Sequence, residues 1–368
     1  MTQNYNHEHY MALALELAEQ GRYTCDPNPM VGCVIVRDNE ILGRGYHIKA
    51  GEGHAEVNAI ADALTNTDTL DGADIYVTLE PCSHTGRTPP CCEAIERHNF
   101  KRVIVACQDP NPLVGGKGIA RLSAKYEIIK GILEEQALEL NHAFFYRMEH
   151  QRPWVQIKMG ASLDARTALA NGKSKWITCQ AARNDVHKLR LAASAILTGK
   201  KTMLLDNAQL DARESNLGFA PQRQPLRIIL DTNAESLDIV TEQIKSKKSP
   251  LQRTLMISKK PLTETQNAIG LLDTLDLNTK DIQTLLHQLN PLQLNTLMVE
   301  AGAALTSSFL KADAVNEIVL YLAPKFLGPT ARGLFDLPEL KDLPLQNEWY
   351  FHHIEIMDTD LKIILRRC

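Results

Sequence analysis

The feature that most constrains this chain is a set of metal-type ligands in three separate segments: His54-Ala55-Glu56, Pro81-Cys82 and Pro89-Pro90-Cys91. Two thiolates and an imidazole suit zinc, and three protein ligands leave the fourth tetrahedral position open, as in a catalytic rather than a structural site. The local sequence sets these ligands at strand ends and helix starts. The apolar run Ile75 to Leu79 reads as a strand just before Pro81-Cys82, a helix is expected from about Cys92 to His98, and an Ala-rich helix from His54 to about Leu64. Further strands are expected at Val31 to Val36, Ile41 to His47, Arg102 to Cys107 and Tyr126 to Ile129. Further helices are expected over the opening segment, after Val114 to Gly118, and from Leu133 to His150. Strands alternating with helices imply a layered α/β unit, which gathers sites at strand ends and helix starts.

Glu56, two residues past His54 in the first helical turn, can take a proton from a metal-activated water and pass it to a leaving amine. Placing both cysteines near a helix N-terminus favours their thiolates. His-x-Glu with a Pro-Cys-x-x-Cys pair is the signature of zinc deaminases of nucleobases, but eight residues separate Cys82 from Cys91 here. From the residues alone other readings stay open: His84 as a fourth ligand of a structural zinc, Cys92 in place of Cys91, or unrelated thiols with Glu56 a solvated helix charge. The triplet is weak by itself, since His353-Ile354-Glu355 has the same spacing. Cys25, Cys33, Cys107, Cys179 and Cys368 read as ordinary thiols.

A chain of 368 residues is about twice the usual domain size, so two folded units are expected. We place the boundary at Arg152-Pro153, giving domains 1–150 and 151–368. The second half repeats the strand-and-helix pattern, with strands at Trp154 to Met159, Ala195 to Thr198, Leu226 to Leu230 and Thr296 to Glu300. Asn207 to Gln224 and Glu242 to Lys248 read as surface loops or exposed helix. A net charge of -4 and a pI near 6.3 give no broad attraction for a polyphosphate chain, so small substrates are expected and nucleic acid is not. No apolar run suits a membrane span and the opening segment lacks signal-peptide character, so the expected location is the cytoplasm.

In the second half no G-x-G-x-x-G fingerprint supports a Rossmann domain, and Ser194 stands where a P-loop ending in Gly199-Lys200-Lys201-Thr202 would need its first glycine. A phosphate site is expected instead at Glu300-Ala301-Gly302-Ala303-Ala304-Leu305. There a strand ends, a glycine allows close approach, and a following helix presents free N–H groups.

The stretch Pro81-Cys82-Ser83-His84-Thr85-Gly86-Arg87-Thr88-Pro89-Pro90-Cys91 closely resembles the signature of the bifunctional riboflavin-biosynthesis deaminase/reductases. Pro27-Asn28-Pro29-Met30-Val31-Gly32, Gly45-Tyr46-His47, His54-Ala55-Glu56-Val57 and Asp109-Pro110-Asn111-Pro112 follow that family's order. In the second half Lys158 to Asp164, Ser174 to Thr178 and Val299 to Gly302 do the same. The resemblance implies a three-layer domain of the cytidine-deaminase fold followed by a dihydrofolate-reductase-like domain. It implies zinc on His54, Cys82 and Cys91, with Glu56 as the catalytic proton shuttle. The implied reactions are removal of the 2-amino group from 2,5-diamino-6-(5-phosphoribosylamino)pyrimidin-4(3H)-one, then NADPH-dependent reduction of the ribosyl group to ribityl.

Carried over position by position, Asn28, His47, His84, Arg87, Asp109 and Asn111 should meet the deaminase substrate. Ala161, Trp176, Thr202, Asp206, Thr232 and the run Gly302, Ala303, Ala304 and Leu305 should meet NADPH. Ser174, Arg190, Leu210, Arg213 and Glu300 should meet the reductase substrate, with Arg190 and Arg213 suited to gripping its phosphate. A homo-oligomer, a dimer, is the expected assembly. Two departures stand out: Asp164-Ala165-Arg166 where the family has Asp-Gly-Arg, and Asp206-Asn207-Ala208 where it has Asp-Asp-Pro.

Overall fold

Cys33 and Ile35 pack into one buried cluster, while Val34 and Val36 pack into another. Successive side chains of a strand face opposite ways, so this strand is covered on both faces. The computed structural model describes residues 2–85, 89–112, 115–246, 252–259, 272–275, 281–342 and 348–368. The chain divides into two units, Met1–Gln151 and Arg152–Cys368.

In the first unit the strands are β1 (Gly32–Arg37), β2 (Glu40–Tyr46), β3 (Asp74–Leu79), β4 (Arg102–Cys107) and β5 (Glu127–Lys130), in the order β2-β1-β3-β4-β5. β1 runs antiparallel to β2 and β3, whereas β3, β4 and β5 are parallel. Helices α1 (Thr2–Glu19) and α5 (Glu134–Leu140) cover one face, and α2 (Ala55–Asn66) and α3 (Cys91–Glu96) the other. The result is the expected three-layer unit.

The Ala-rich α2 can lie unusually close to the sheet. A Cβ at Gly45 would sit 2.3 Å from the Ala59 nitrogen and 2.5 Å from the Ala55 carbonyl oxygen, so the approach requires glycine. This contact sets the depth of the helix start that carries His54 and Glu56. Between α4 (Lys117–Leu122) and the preceding strand end the fit is tighter still, with a Cβ at Gly118 falling 2.0 Å from the Pro81 carbonyl oxygen.

The helix expected from Leu133 to His150 is broken into α5 and α6 (His142–His150) at Asn141. Asn141 accepts from the Met30 N–H at 2.8 Å and donates to the Met30 carbonyl at 2.8 Å. Its side chain thereby pins the Pro27 to Met30 turn, a long-range role that helical periodicity cannot reveal.

The second unit is built on a nine-stranded sheet. Its strands are β6 (Trp154–Ser162), β8 (Ala195–Gly199), β9 (Leu226–Leu230), β10 (Thr254–Ile257), β11 (Leu272–Leu275), β12 (Thr296–Val299), β13 (Glu317–Ala323), β15 (Trp349–Met357) and β16 (Asp360–Arg367). Their order is β11-β10-β9-β8-β12-β6-β13-β16-β15, parallel as far as β13 and antiparallel beyond it. Short strands β7 (Arg166–Ala168) and β14 (Arg332–Gly333) pair separately. Again the two faces are apolar: Ala195 and Leu197 join α11 (Ile282–Gln288) and α12 (Ala303–Lys311) on one side, while Ile196 and Met298 lie beneath α7 (Gln180–Ala192) on the other.

Both departures from the family pattern fall at left-handed backbone positions. Ala165 has φ 58° and Asn207, after α8 (Lys200–Asp206), has φ 46°. Asn tolerates this region well, whereas Ala there costs about 1 kcal/mol that glycine would avoid. The Asn207 to Gln224 segment is not a plain surface loop: Leu210, Asp211 and Ala212 are buried, and Glu214–Leu217 forms the short helix α9. Glu242 to Lys245 belong to α10 (Leu237–Lys245), whose Gln243 is buried against Asn207 and Arg227.

Candidate active sites

In the first unit the parallel strands β3 and β4 end beside the starts of α2 and α3, and the ligand set gathers there. His54 is the N-cap of α2, Cys91 opens α3, and Cys82 follows β3. The His54 Nδ1 atom lies 3.1 Å from the Cys91 sulfur and 3.7 Å from the Cys82 sulfur, and all three donor atoms fall within 4.8 Å of one another. Tetrahedral zinc with bonds of about 2.0–2.3 Å needs donor separations of this order, so the residues fit the metal. His84 is exposed and not part of this group, and Cys92 is turned to the Pro81 and Gly118 carbonyls. The second His-x-Glu triplet lies on strand β15, where His353 and Glu355 are exposed.

The hydrogen bond from Cys91 holds the Cys82 thiol down, while Cys91 is pushed up in return. Glu56 is buried, and burial raises its carboxyl pKa.

Around this centre the structure brings together most of the expected substrate residues. The His47 Nδ1 faces the Gly53 carbonyl at 3.1 Å and can only donate to it, so Nε2 accepts from the Asn28 amide at 2.9 Å. Burial lowers the His47 pKa, in keeping with this neutral tautomer. Asp109 accepts from the Asn111 N–H at 2.8 Å, and burial pushes its pKa up to about 6. Arg87 lies outside the described residues.

The sequence reading missed Glu80, which is buried between β3 and Pro81. Its carboxylate accepts from the backbone N–H groups of Asp109 (3.2 Å), Gly116 (2.9 Å), Gly118 (2.8 Å) and Ile119 (3.0 Å). The signal was its position directly before Pro81-Cys82.

In the second unit Glu300 directly follows β12, within a cluster of charges. Arg190 grips it with Nη2 at 2.6 Å and Nε at 3.0 Å, and Lys158 adds a contact at 3.0 Å. These two cations hold the Glu300 carboxyl far below the ordinary range against the penalty of burial. The fork expected on a phosphate is therefore spent on Glu300, and the third side of the Arg190 guanidinium donates to the Asp211 carbonyl at 3.0 Å. Arg213 remains half-exposed; its Nε contacts Asp211 at 2.9 Å and its N–H donates to His187 Nδ1 at 3.1 Å. Lys158, His187 and Asp211 were not among the expected site residues, and only Lys158 lay in a quoted motif.

The Leu210 side chain packs in the core with Ala193, Ile196 and Met298, which leaves its main chain for any ligand contact. Trp176 is 64% exposed, which excludes a core role, and the Arg183 guanidinium lies 4.6 Å from its ring centre. Gly302 is the N-cap of α12, and a Cβ there would meet nothing within 4 Å, so the helix start with Ala303, Ala304 and Leu305 is open. Asp206 ends α8, Thr202 lies within it, Thr232 follows β9 and is exposed, Ala161 is buried on β6, and Ser174 is half-buried.

Residues 4–107 match the cytidine and deoxycytidylate deaminase zinc-binding region, and residues 153–363 match the RibD C-terminal domain. The chain is 43% identical over 364 residues to the riboflavin biosynthesis protein RibD of Escherichia coli, covering 96% of this chain and 97% of that one. Among solved structures, Acinetobacter baumannii RibD, form 1, superposes with a TM-score of 0.90 at 37% identity, covering 99% of each chain. A diaminohydroxyphosphoribosylaminopyrimidine deaminase/5-amino-6-(5-phosphoribosylamino)uracil reductase of Thermotoga maritima gives 0.85 at 30% identity over 100% of both. A zinc-binding deaminase unit joined to a RibD reductase unit, with such relatives along nearly the whole chain, makes this protein a member of the RibD family of bifunctional riboflavin-biosynthesis enzymes.

Proposed function

We propose that the first unit deaminates 2,5-diamino-6-(5-phosphoribosylamino)pyrimidin-4(3H)-one and that the second reduces the deaminated product with NADPH, turning its ribosyl group into ribityl. The observation that carries this reading is the convergence of His54, Cys82 and Cys91 beside the buried Glu56. Zinc, when bound, acidifies a water and so supplies the nucleophile. Glu56 takes the proton of that water on its carboxylate and returns it to the departing amine. The raised pKa suits a group that must both accept and release a proton. Asn28 spends one N–H on His47 and keeps its oxygen for the pyrimidine edge, with Asp109, Asn111 and His84 on the same substrate and Arg87 on its phosphate.

In the second unit NADPH, when bound, supplies the hydride. The free N–H groups of Ala303, Ala304 and Leu305 at the open start of α12 suit a cofactor phosphate. Trp176, Ala161, Thr202, Asp206 and Thr232 complete that site. Glu300, kept ionised by Arg190 and Lys158, accepts from ribose hydroxyls, Arg213 takes the 5-phosphate, and Ser174 and the Leu210 backbone flank the sugar.

We also infer a homodimer in the cytoplasm. In support, Tyr350, Phe351, Ile354 and Ile356 are exposed on the edge strand β15, a surface that a second copy would cover. No helix among the described residues is long and apolar enough to cross a membrane.

The test is to incubate zinc-loaded protein with the diaminopyrimidine phosphoriboside, with and without NADPH, following ammonia and nicotinamide absorbance. Ammonia should appear in both reactions and NADPH should be consumed in the second. Ammonia without NADPH consumption would remove the reductase assignment, and no ammonia would remove the deaminase assignment.

A further inference from the structure

We propose that Glu80 is a positioning residue for the deaminase: its carboxylate fixes the loop bearing Asp109 and Asn111 onto the turn that carries the metal ligand Cys82. The inference rests on reading the first site as a pyrimidine deaminase. Glu80 is only 3% exposed, and among the described residues it makes no ion pair. Its charge is held instead by four backbone N–H groups, two on each oxygen: Asp109 and Gly116 on Oε2, Gly118 and Ile119 on Oε1. An ionised carboxylate offers about four acceptor sites, so this one is fully used. Bonds of this charged kind are stronger than neutral ones.

The bonds carry the β3–β4 pairing, whose last backbone bond runs from the Glu80 N–H to the Cys107 carbonyl at 3.0 Å, on into the turn beyond the strands. On one side are β3, Glu80 and Pro81-Cys82; on the other is the turn after β4. Asp109 is bonded through its N–H to Glu80 and through its carboxylate to the Asn111 N–H, and Gly115 donates to the Asn111 carbonyl at 2.8 Å. Glu80 therefore orders the two expected pyrimidine contacts as a unit. Gly118 allows the contact, because a Cβ there would meet the Pro81 oxygen at 2.0 Å and Glu80 Oε1 at 3.2 Å. A glutamine at 80 has the same shape, but its amide nitrogen would face two N–H donors and could accept from neither.

The test is Glu80→Gln in the full-length, zinc-loaded protein. Deamination KM should rise about tenfold or more while kcat falls by a smaller factor. Zinc content and NADPH oxidation on the pre-deaminated substrate should match the unsubstituted protein. Amide exchange at Gly116, Gly118 and Ile119 should quicken in the same variant, and Gly118→Ala should raise the same KM with Glu80 intact. An unchanged KM would overturn the inference, as would loss of zinc in step with kcat at constant KM, which would mark Glu80 as part of metal-centre assembly. If the unsubstituted protein releases no ammonia, the deaminase reading itself has failed; if it is active and Glu80→Gln equals it, only the role of Glu80 has.

Discussion

The two sites of this molecule handle buried charge in opposite ways. In the first unit two thiols and a carboxyl, Cys82, Cys91 and Glu56, gather around one imidazole, His54, which favours the ionised forms of Cys82 and Glu56. In the second, the Glu300 side chain is 14% exposed and already neutralised by Arg190 and Lys158. Two thiols and an imidazole set this close are donors that suit zinc. A carboxylate paired with two cations needs no metal, and the open start of α12 in the same unit suits an anion. That contrast supports the proposal of metal chemistry in one half and of phosphate and cofactor binding in the other.

The largest expected effect tests the metal half. Glu56→Gln should keep its zinc while ammonia release falls about 10³-fold, the middle of the range for a proton shuttle, with reduction unaltered. Unchanged deamination would dissolve the distinction between ligand and shuttle. Next, Arg213→Ala should lower kcat/KM for reduction by about 10- to 100-fold, the worth of a charge-assisted bond, and leave deamination alone. Equal loss of both activities would mean that the sites are not separate.

A smaller effect should appear in stability. Burial holds His187 at about 4 instead of 6.5, with Arg190 and Arg213 lowering it and Asp211 and Glu300 raising it. The unfolded chain therefore binds the extra proton first as pH falls, and the histidine's share of stability is lost between about 6.5 and 4. All three tryptophans, Trp154, Trp176 and Trp349, lie in the second unit, so their fluorescence reports its urea midpoint. The midpoint should drop across that window, and His187→Gln should flatten the drop. A slope unchanged by the substitution would show that His187 is not its source.

Legibility in the sequence follows the same contrast. The candidate metal ligands are legible because an imidazole and two thiols fall at strand ends and helix starts with Glu56 two residues past His54, and β3 and β4 read clearly as apolar runs between turns. The strands β13, β15 and β16 escaped notice: β15 mixes His353 and Glu355 with apolar residues and is exposed along most of its length, so no one-faced pattern marks it. Asn141 and Glu80 act on backbone groups far along the chain; spacing carries no trace of the Asn141 bonds, and for Glu80 only its place before Pro81-Cys82 hinted at a role. The Arg190 fork was readable as a guanidinium seeking oxyanions, but only the fold could show that Glu300 is the one it finds. Ala165, a departure from the family pattern, marks a left-handed turn that the chain keeps without glycine.

The most direct measurement is removal of the metal. Chelating zinc from the full-length protein should abolish ammonia release from the diaminopyrimidine phosphoriboside, leave NADPH oxidation on the pre-deaminated substrate at its original rate, and allow added zinc to restore the first activity. Loss of both activities, or of neither, would contradict a molecule with one site completed by a cation and another complete in its own charges.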